Sequence, residues 1–152
     1  RPLEHGMPKI TPSEFTAKFD ANLVADYDRI AKTLDDHSAQ VVDSRPAGRF
    51  TGEVPEPREG VRSGHMPGSL NLPSGDLVEN GALASPEKIN AEIAKAGIDV
   101  TKPVITSCGS GVSAALLWLA LDSVGKQPAA LYDGSWRGWG AREGAPVVTG
   151  PK

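Results

Sequence analysis

The sequence predicts an α/β domain built on a mostly parallel sheet. Three observations carry that expectation. Short apolar runs alternate with helix-like stretches along the whole chain. Asp43, Arg45, Cys108 and Asp133 fall just past the ends of apolar runs; in parallel sheets, ligands bind outside the carboxyl ends of the strands. The 152 residues, 39% of them hydrophobic, suffice to bury one core without staples.

The elements follow in chain order. Residues 1–19, opening with "RPLEHGMPKI", are polar and proline-containing and read as a linker or N-terminal extension; the domain proper is placed at 20–150. This start suggests a domain cut from a longer chain. Leu23–Ala25 is a short strand. A helix from about Asp26 to Asp36 follows, with Tyr27, Ile30, Ala31 and Leu34 on its apolar face. "QVVDSR" is a buried strand meeting a polar loop. Residues 46–69 hold five Gly and four Pro among 24 residues and predict a long loop. "SLNLP" is a short strand. Ser85-Pro86 opens a helix, with Ser as N-cap and Pro in the first turn, and Gly97 stops it. "PVITS" is a buried strand, "GVSAALLWLALDSVG" an almost wholly apolar helix, and "AALYDGS" the last strand.

Composition narrows the function. A formal net charge of −3 argues against nucleic acid or an anionic membrane surface as partner. The longest apolar run, Val112–Leu121, is half of what a membrane span needs, about 20 residues. No signal-peptide pattern is expected at the start. The three histidines, His5, His37 and His65, are scattered without ligand spacing, so no metal and no cofactor is predicted. A single cysteine, Cys108, excludes an intramolecular disulfide and a thiolate-rich zinc site. It suits a reducing compartment, which predicts a cytoplasmic protein with the mitochondrion as the alternative.

Cys108 sits between a strand and a helix in "CGSGVSAA". Helix starts present unpaired N–H groups, and Gly109 and Gly111 let the backbone curl them toward one point. The helix dipole adds positive potential, which favours the thiolate, the nucleophilic form. Ser110 and Ser113 add hydroxyl donors. Two glycines and two serines make a poor core lining, which weighs against a merely packed cysteine. A Cys-based phosphatase needs Arg six positions after the cysteine, and that position is Ala114. A cysteine protease lacks an evident His partner.

"CGSGVSAA" resembles the active-site loop of the mercaptopyruvate sulfurtransferases, within the rhodanese superfamily. "VVDSRPAGRFTGEVPEPREGVRSGHMPGSLNLP" is similar to the catalytic domain of the two-domain members, and "LYDGSWRGWG" resembles its closing stretch. The resemblance covers roughly residues 20 to 142. It implies a rhodanese-like three-layer fold and a Cys108 that cycles through a persulfide, taking sulfur from a donor and passing it to a thiol or to cyanide. The donor would be 3-mercaptopyruvate or thiosulfate, the acceptor a thiol such as thioredoxin. An N-terminal rhodanese-like domain is implied as a further partner in the parent chain.

The resemblance also implies residue roles. Cys108 is the nucleophile, and Ser110 takes part in proton transfer to the leaving enolate. Arg49 and Arg58 bind the donor, and the backbone of Gly109, Gly111, Val112 and Ser113 cradles the sulfur. Thiosulfate-using members carry Arg and Lys directly after the cysteine; the uncharged Gly109 and Ser110 match the mercaptopyruvate branch. Asp43, Arg45, His65 and Trp136 are expected to support the site, and Trp139 to pack beneath it. A persulfide carrier or redox sensor acting on a protein partner is the alternative reading. The family's closing motif commonly has an acidic residue between its two tryptophans, where this chain has Arg137 and Gly138.

Overall fold

The computed structural model describes residues 5–7 and 10–151. Of the predicted extension, residues 1–4 and 8–9 lie outside the described residues, and 10–19 carry no helix or strand and are exposed.

Five parallel strands make the sheet: β1 (Val24–Ala25), β2 (Gln40–Asp43), β3 (Leu70–Asn71), β6 (Val104–Ser107) and β7 (Ala130–Tyr132), in the order β1-β7-β6-β2-β3. The helices are α1 (Tyr27–Asp36), α2 (Ala47–Thr51), α3 (Pro86–Lys95), α4 (Val112–Ser123) and α5 (Ser135–Gly140). β4 (Val78–Glu79) and β5 (Ala82–Leu83) form a small antiparallel hairpin. The middle strands are buried on both faces, as the continuous runs VVD and VITS require. Their side chains alternate between two cores. Val42 and Val104 pack with Ile89, Ile93, Leu117 and Leu121 from α3 and α4. Val41 and Ile105 pack with Ile30, Trp136 and Trp139 from α1 and α5. The result is the predicted α/β architecture, three layers deep.

The helix boundaries have local causes. The Asp26 side chain accepts from the Arg29 N–H at 2.9 Å and starts α1, which His37 ends in the left-handed conformation. Ser85 caps α3 through the Lys88 N–H at 3.3 Å, with Pro86 in the first turn.

Three features depart from the sequence reading. The predicted long loop 46–69 contains α2: Pro46 presets the entry, and Phe50, buried, pulls the turn onto the core. The hairpin β4–β5 was not anticipated, although its Asn80-Gly81 turn, both residues at positive φ, is a hairpin signal. "SWRGWG", to which the sequence reading assigned no helix, is α5, because Trp136 and Trp139 three residues apart bury on one helical face.

Register brings the site together. Asp43 pairs with both Asn71 and Ser107, so β2, β3 and β6 end level with one another. The Asn71 side chain donates to the carbonyls of Asp43 (2.8 Å) and Arg45 (2.9 Å), fixing the chain as it leaves β2. The loops that follow β2, β6 and β7 therefore converge over one edge.

Candidate active site

β6 delivers Cys108, and the chain turns through Gly111 into α4. Gly111 has φ +88°, and a Cβ there would lie 3.3 Å from the Asp133 backbone and side-chain oxygens, so both conformation and space demand glycine. Gly109 lies outside the left-handed region. A Cβ on it would sit 3.2 Å from the Arg49 guanidinium. The expectation that both glycines serve to curl the backbone is corrected: Gly111 makes the turn, while Gly109 leaves room for an arginine.

Cys108 is 2% exposed, on the floor of a cleft of about 510 Å³. The N–H groups of Ser110 and Gly111 donate to Sγ at 3.3 and 3.1 Å. Burial pushes the thiol up, but hydrogen bonds from the Ser113 hydroxyl and from the Ser110 and Ala114 N–H groups outweigh it. The thiol is held below its ordinary value, and the thiolate is favoured. Ser44 donates to the Ser113 hydroxyl at 3.1 Å and so orients it toward sulfur. The N–H groups of Val112 and Ser113, in the first turn of α4, have no partner among the described residues.

Ser135 and Ser44 were missed by sequence reasoning. Ser135 is fully buried and holds φ +47°, unusual for a residue with a Cβ. Its hydroxyl accepts from the N–H groups of Cys108 (3.1 Å) and Gly111 (3.0 Å), donates to the Tyr132 carbonyl (2.8 Å), and lies 3.9 Å from Sγ. The N–H groups of Trp136 and Arg137 donate to the carbonyls of Cys108 and Gly109 at 2.8 and 3.0 Å. The start of α5 thus clasps the cysteine loop from below.

The charged residues lining the cleft are all arginines: Arg45, Arg49 and Arg58. Arg45 is buried; it donates to Asp43 (2.8 Å), to Glu56 (2.8 Å) and to the Gly64 carbonyl (2.8 Å), with its guanidinium 4.4 Å above the Trp136 ring. Arg49 grips Glu56 with Nε (3.1 Å) and Nη2. Burial pushes the Glu56 carboxyl up, yet hydrogen bonds from Arg49 and Arg45 hold it below the ordinary carboxylate range. Arg58 is exposed on the rim, with no ion-pair partner among the described residues. Ser110 and Val112 line the same cleft, and Val112 is 80% exposed.

His65 stands outside the cleft. Its Nδ1 lies 2.8 Å from the Phe50 carbonyl, and its ring stacks on Phe50 at 3.8 Å. Its backbone exchanges two hydrogen bonds with Val148, tying the loop to the final segment. The Trp136 indole N–H donates to the Arg62 carbonyl and that of Trp139 to the Pro146 carbonyl, both at 2.8 Å. Among the described residues no group of three His, Cys, Asp or Glu could hold a metal ion, and no helix is long and apolar enough to cross a membrane.

A family model for the rhodanese-like domain matches residues 26–142. The chain belongs to that family. This rhodanese-like domain is 42% identical over 145 residues to 3-mercaptopyruvate sulfurtransferase of Escherichia coli (strain K12), covering 95% of this chain and 52% of the relative. The enzyme of the same name from Homo sapiens is 41% identical over 139 residues, covering 91% and 47%. Among solved structures, a crystal structure of an Escherichia coli 3-mercaptopyruvate sulfurtransferase aligns with TM-score 0.73 at 39% identity, over 88% of this chain and 49% of that one. The Tum1 protein of Saccharomyces cerevisiae aligns with TM-score 0.76 at 34% identity, over 87% and 48%. The chain therefore spans about half the length of the relatives it matches.

Proposed function

We propose that this domain moves sulfur from 3-mercaptopyruvate to a thiol acceptor through a persulfide on Cys108. One observation carries the reading. The chain's lone thiol is held toward the thiolate by backbone N–H groups, and it faces a cleft whose charged lining is entirely arginine. The names of the relatives support the same donor.

The chemistry balances in two steps. The Cys108 thiolate attacks the thiol sulfur of mercaptopyruvate. The new S–S bond leaves Cys108 as a persulfide, and the breaking C–S bond leaves its electron pair on pyruvate enolate. The enolate takes up the proton released from the donor thiol, and pyruvate departs; Ser110, which lines the cleft, would pass that proton. An acceptor thiolate then attacks the outer sulfur and departs as its own persulfide, returning Cys108 as thiolate. The unpartnered N–H groups of Val112 and Ser113 are the donors available to the outer, negatively charged sulfur. Arg58 and the free edge of Arg49 would hold the donor's carboxylate. Ser44, Ser113 and Ser135 orient the loop, while Asp43, Arg45, His65 and Trp136 brace the elements beneath it.

An acceptor of the thioredoxin class, a further N-terminal domain beside the cleft, and a reducing compartment belong to the same reading. A plant relative, 35% identical, is named as mitochondrial, so cytoplasm and mitochondrion both fit a working free thiol.

Steady-state transfer with each donor tests the proposal. Arg58→Ala should raise the mercaptopyruvate KM about tenfold or more, as loss of a charge-assisted bond implies, without changing Cys108 alkylation by iodoacetamide. Ser110→Ala should slow mercaptopyruvate more than thiosulfate. Unchanged kinetics with both donors in Arg58→Ala, or equal slowing of both donors in Ser110→Ala, would count against these assignments.

A further inference from the structure

We propose that Glu56 is a positioning and specificity-determining residue: it aims Arg49 into the cleft and holds the cleft's charge at a level suited to a monoanionic donor. The second half rests on the donor reading above; the first rests on geometry alone.

Glu56 is the hub of a charge ladder running from the sheet edge to the cleft. Its side chain is 2% exposed, and both of its oxygens are in use. Oε1 accepts from Arg45 Nη1 (2.8 Å) and Arg49 Nε (3.1 Å), and Oε2 accepts from Arg49 Nη2. Arg45 is itself anchored to Asp43 and the Gly64 carbonyl, so Glu56 hangs from a fixed point. The fork commits the Nε–Nη2 edge of Arg49 and leaves Nη1 without a partner among the described residues. The guanidinium lies beside Gly109, where a Cβ would come 3.2 Å from Nη2 and 3.9 Å from Nη1. Arg49 is therefore aimed at the floor that carries Cys108.

The same carboxylate sets the charge. Three guanidiniums line the cleft; behind them stand two carboxylates, Asp43 and Glu56, and on its floor lies the Cys108 thiolate, so the charges balance. Mercaptopyruvate with its thiol protonated brings one negative charge; thiosulfate brings two. With no net positive charge to offset the donor's own, a monoanion costs less to seat than a dianion.

Glu56→Gln keeps the shape and removes the charge. Two readouts follow it in the folded protein. The first is alkylation of Cys108 by iodoacetate relative to iodoacetamide, which senses cleft charge without any sulfur transfer. The second is the ratio of persulfide formation from thiosulfate to that from mercaptopyruvate. Both ratios should rise in Glu56→Gln, the donor ratio about tenfold, as one added positive charge near a dianion implies. Glu56→Asp keeps the charge and shortens the fork. It should hold both ratios within about twofold of the unsubstituted protein while raising the mercaptopyruvate KM, a split that a merely structural carboxylate would not produce. Unchanged ratios in a folded Glu56→Gln overturn the charge role. If that variant does not fold, Glu56→Asp decides, and an unchanged KM there overturns the aiming role. If the alkylation ratio shifts but neither donor loads the unsubstituted protein, the charge role stands and the donor reading falls.

Discussion

In the proposed reaction Cys108 owes its nucleophilic character to its neighbours. Desolvation alone would disfavour the thiolate; the Ser113 hydroxyl and the loop N–H groups reverse that balance. Ser135 holds those N–H groups in place by accepting from Cys108 and Gly111 at once. Its replacement by Ala leaves the buried Cys108 N–H unsatisfied, at a cost of about 1–3 kcal/mol, leaves the Gly111 N–H only its bond to Sγ, and should slow persulfide formation on Cys108. Ser135→Gly relieves the positive φ but also lacks the oxygen, so it should be no faster than Ser135→Ala. A Gly variant loading at the unsubstituted rate would show that backbone strain, not the hydroxyl, governs the loop. The cysteine loop itself was legible in the sequence, since a lone Cys among Gly and Ser between a strand and a helix has few readings. Ser135 was not, because it reaches the loop from 27 residues away, through a conformation the sequence does not announce. Glu56 was equally hidden: in "EVPEPRE" nothing separates it from a solvated surface carboxylate, and only the folded loop turns it inward.

At the scale of elements, the strand–loop–helix unit around Gly111 carries the site. β6 is buried on both faces, and α4 is apolar nearly all round, so the turn between them has little freedom to move. Gly111→Ala should cost roughly 1–2 kcal/mol from the left-handed conformation alone. The contact with Asp133 adds to that, and the Gly111 N–H should be displaced from Sγ. The expected result is a folded but destabilised protein with slower alkylation of Cys108; unchanged stability and reactivity would mean that the turn tolerates a side chain. Long elements with caps, α1, α3 and α4, were readable from their periodicity and boundary residues. The two-residue strands β4 and β5 were too short for alternation to show, leaving Asn80-Gly81 as the sole signal. α2 was masked by the proline and glycine around it, and it exists because Phe50 finds a place against His65.

At the scale of the molecule, His65 couples the long loop to the final segment. Burial, with Arg45 nearby, holds its imidazole below the ordinary 6.5, despite the opposing bond to the Phe50 carbonyl. The unfolded chain binds this proton at the ordinary value, so stability is full above about pH 6.5. It falls as pH drops through that value toward the lower folded one, because the unfolded state takes the proton first. The denaturant midpoint should therefore decrease between about pH 7 and pH 5, and His65→Gln should flatten that part of the slope. Identical slopes in both proteins would remove His65 from the account. The whole-molecule frame was legible in the sequence as an α/β domain; the pairing of His65 with Val148 was not, because a two-residue bridge across 83 positions leaves no periodic trace.

The central claim is that Cys108 carries sulfur, and intact-protein mass tests it most directly. The protein is exposed briefly to 3-mercaptopyruvate without reductant, with Cys108→Ser alongside. The account predicts a gain of one sulfur, about 32 mass units, on the unsubstituted protein alone, lost again on adding cyanide as thiocyanate forms. A folded protein whose thiol alkylates normally yet gains no mass, or a Cys108→Ser variant that gains the same mass, would contradict it.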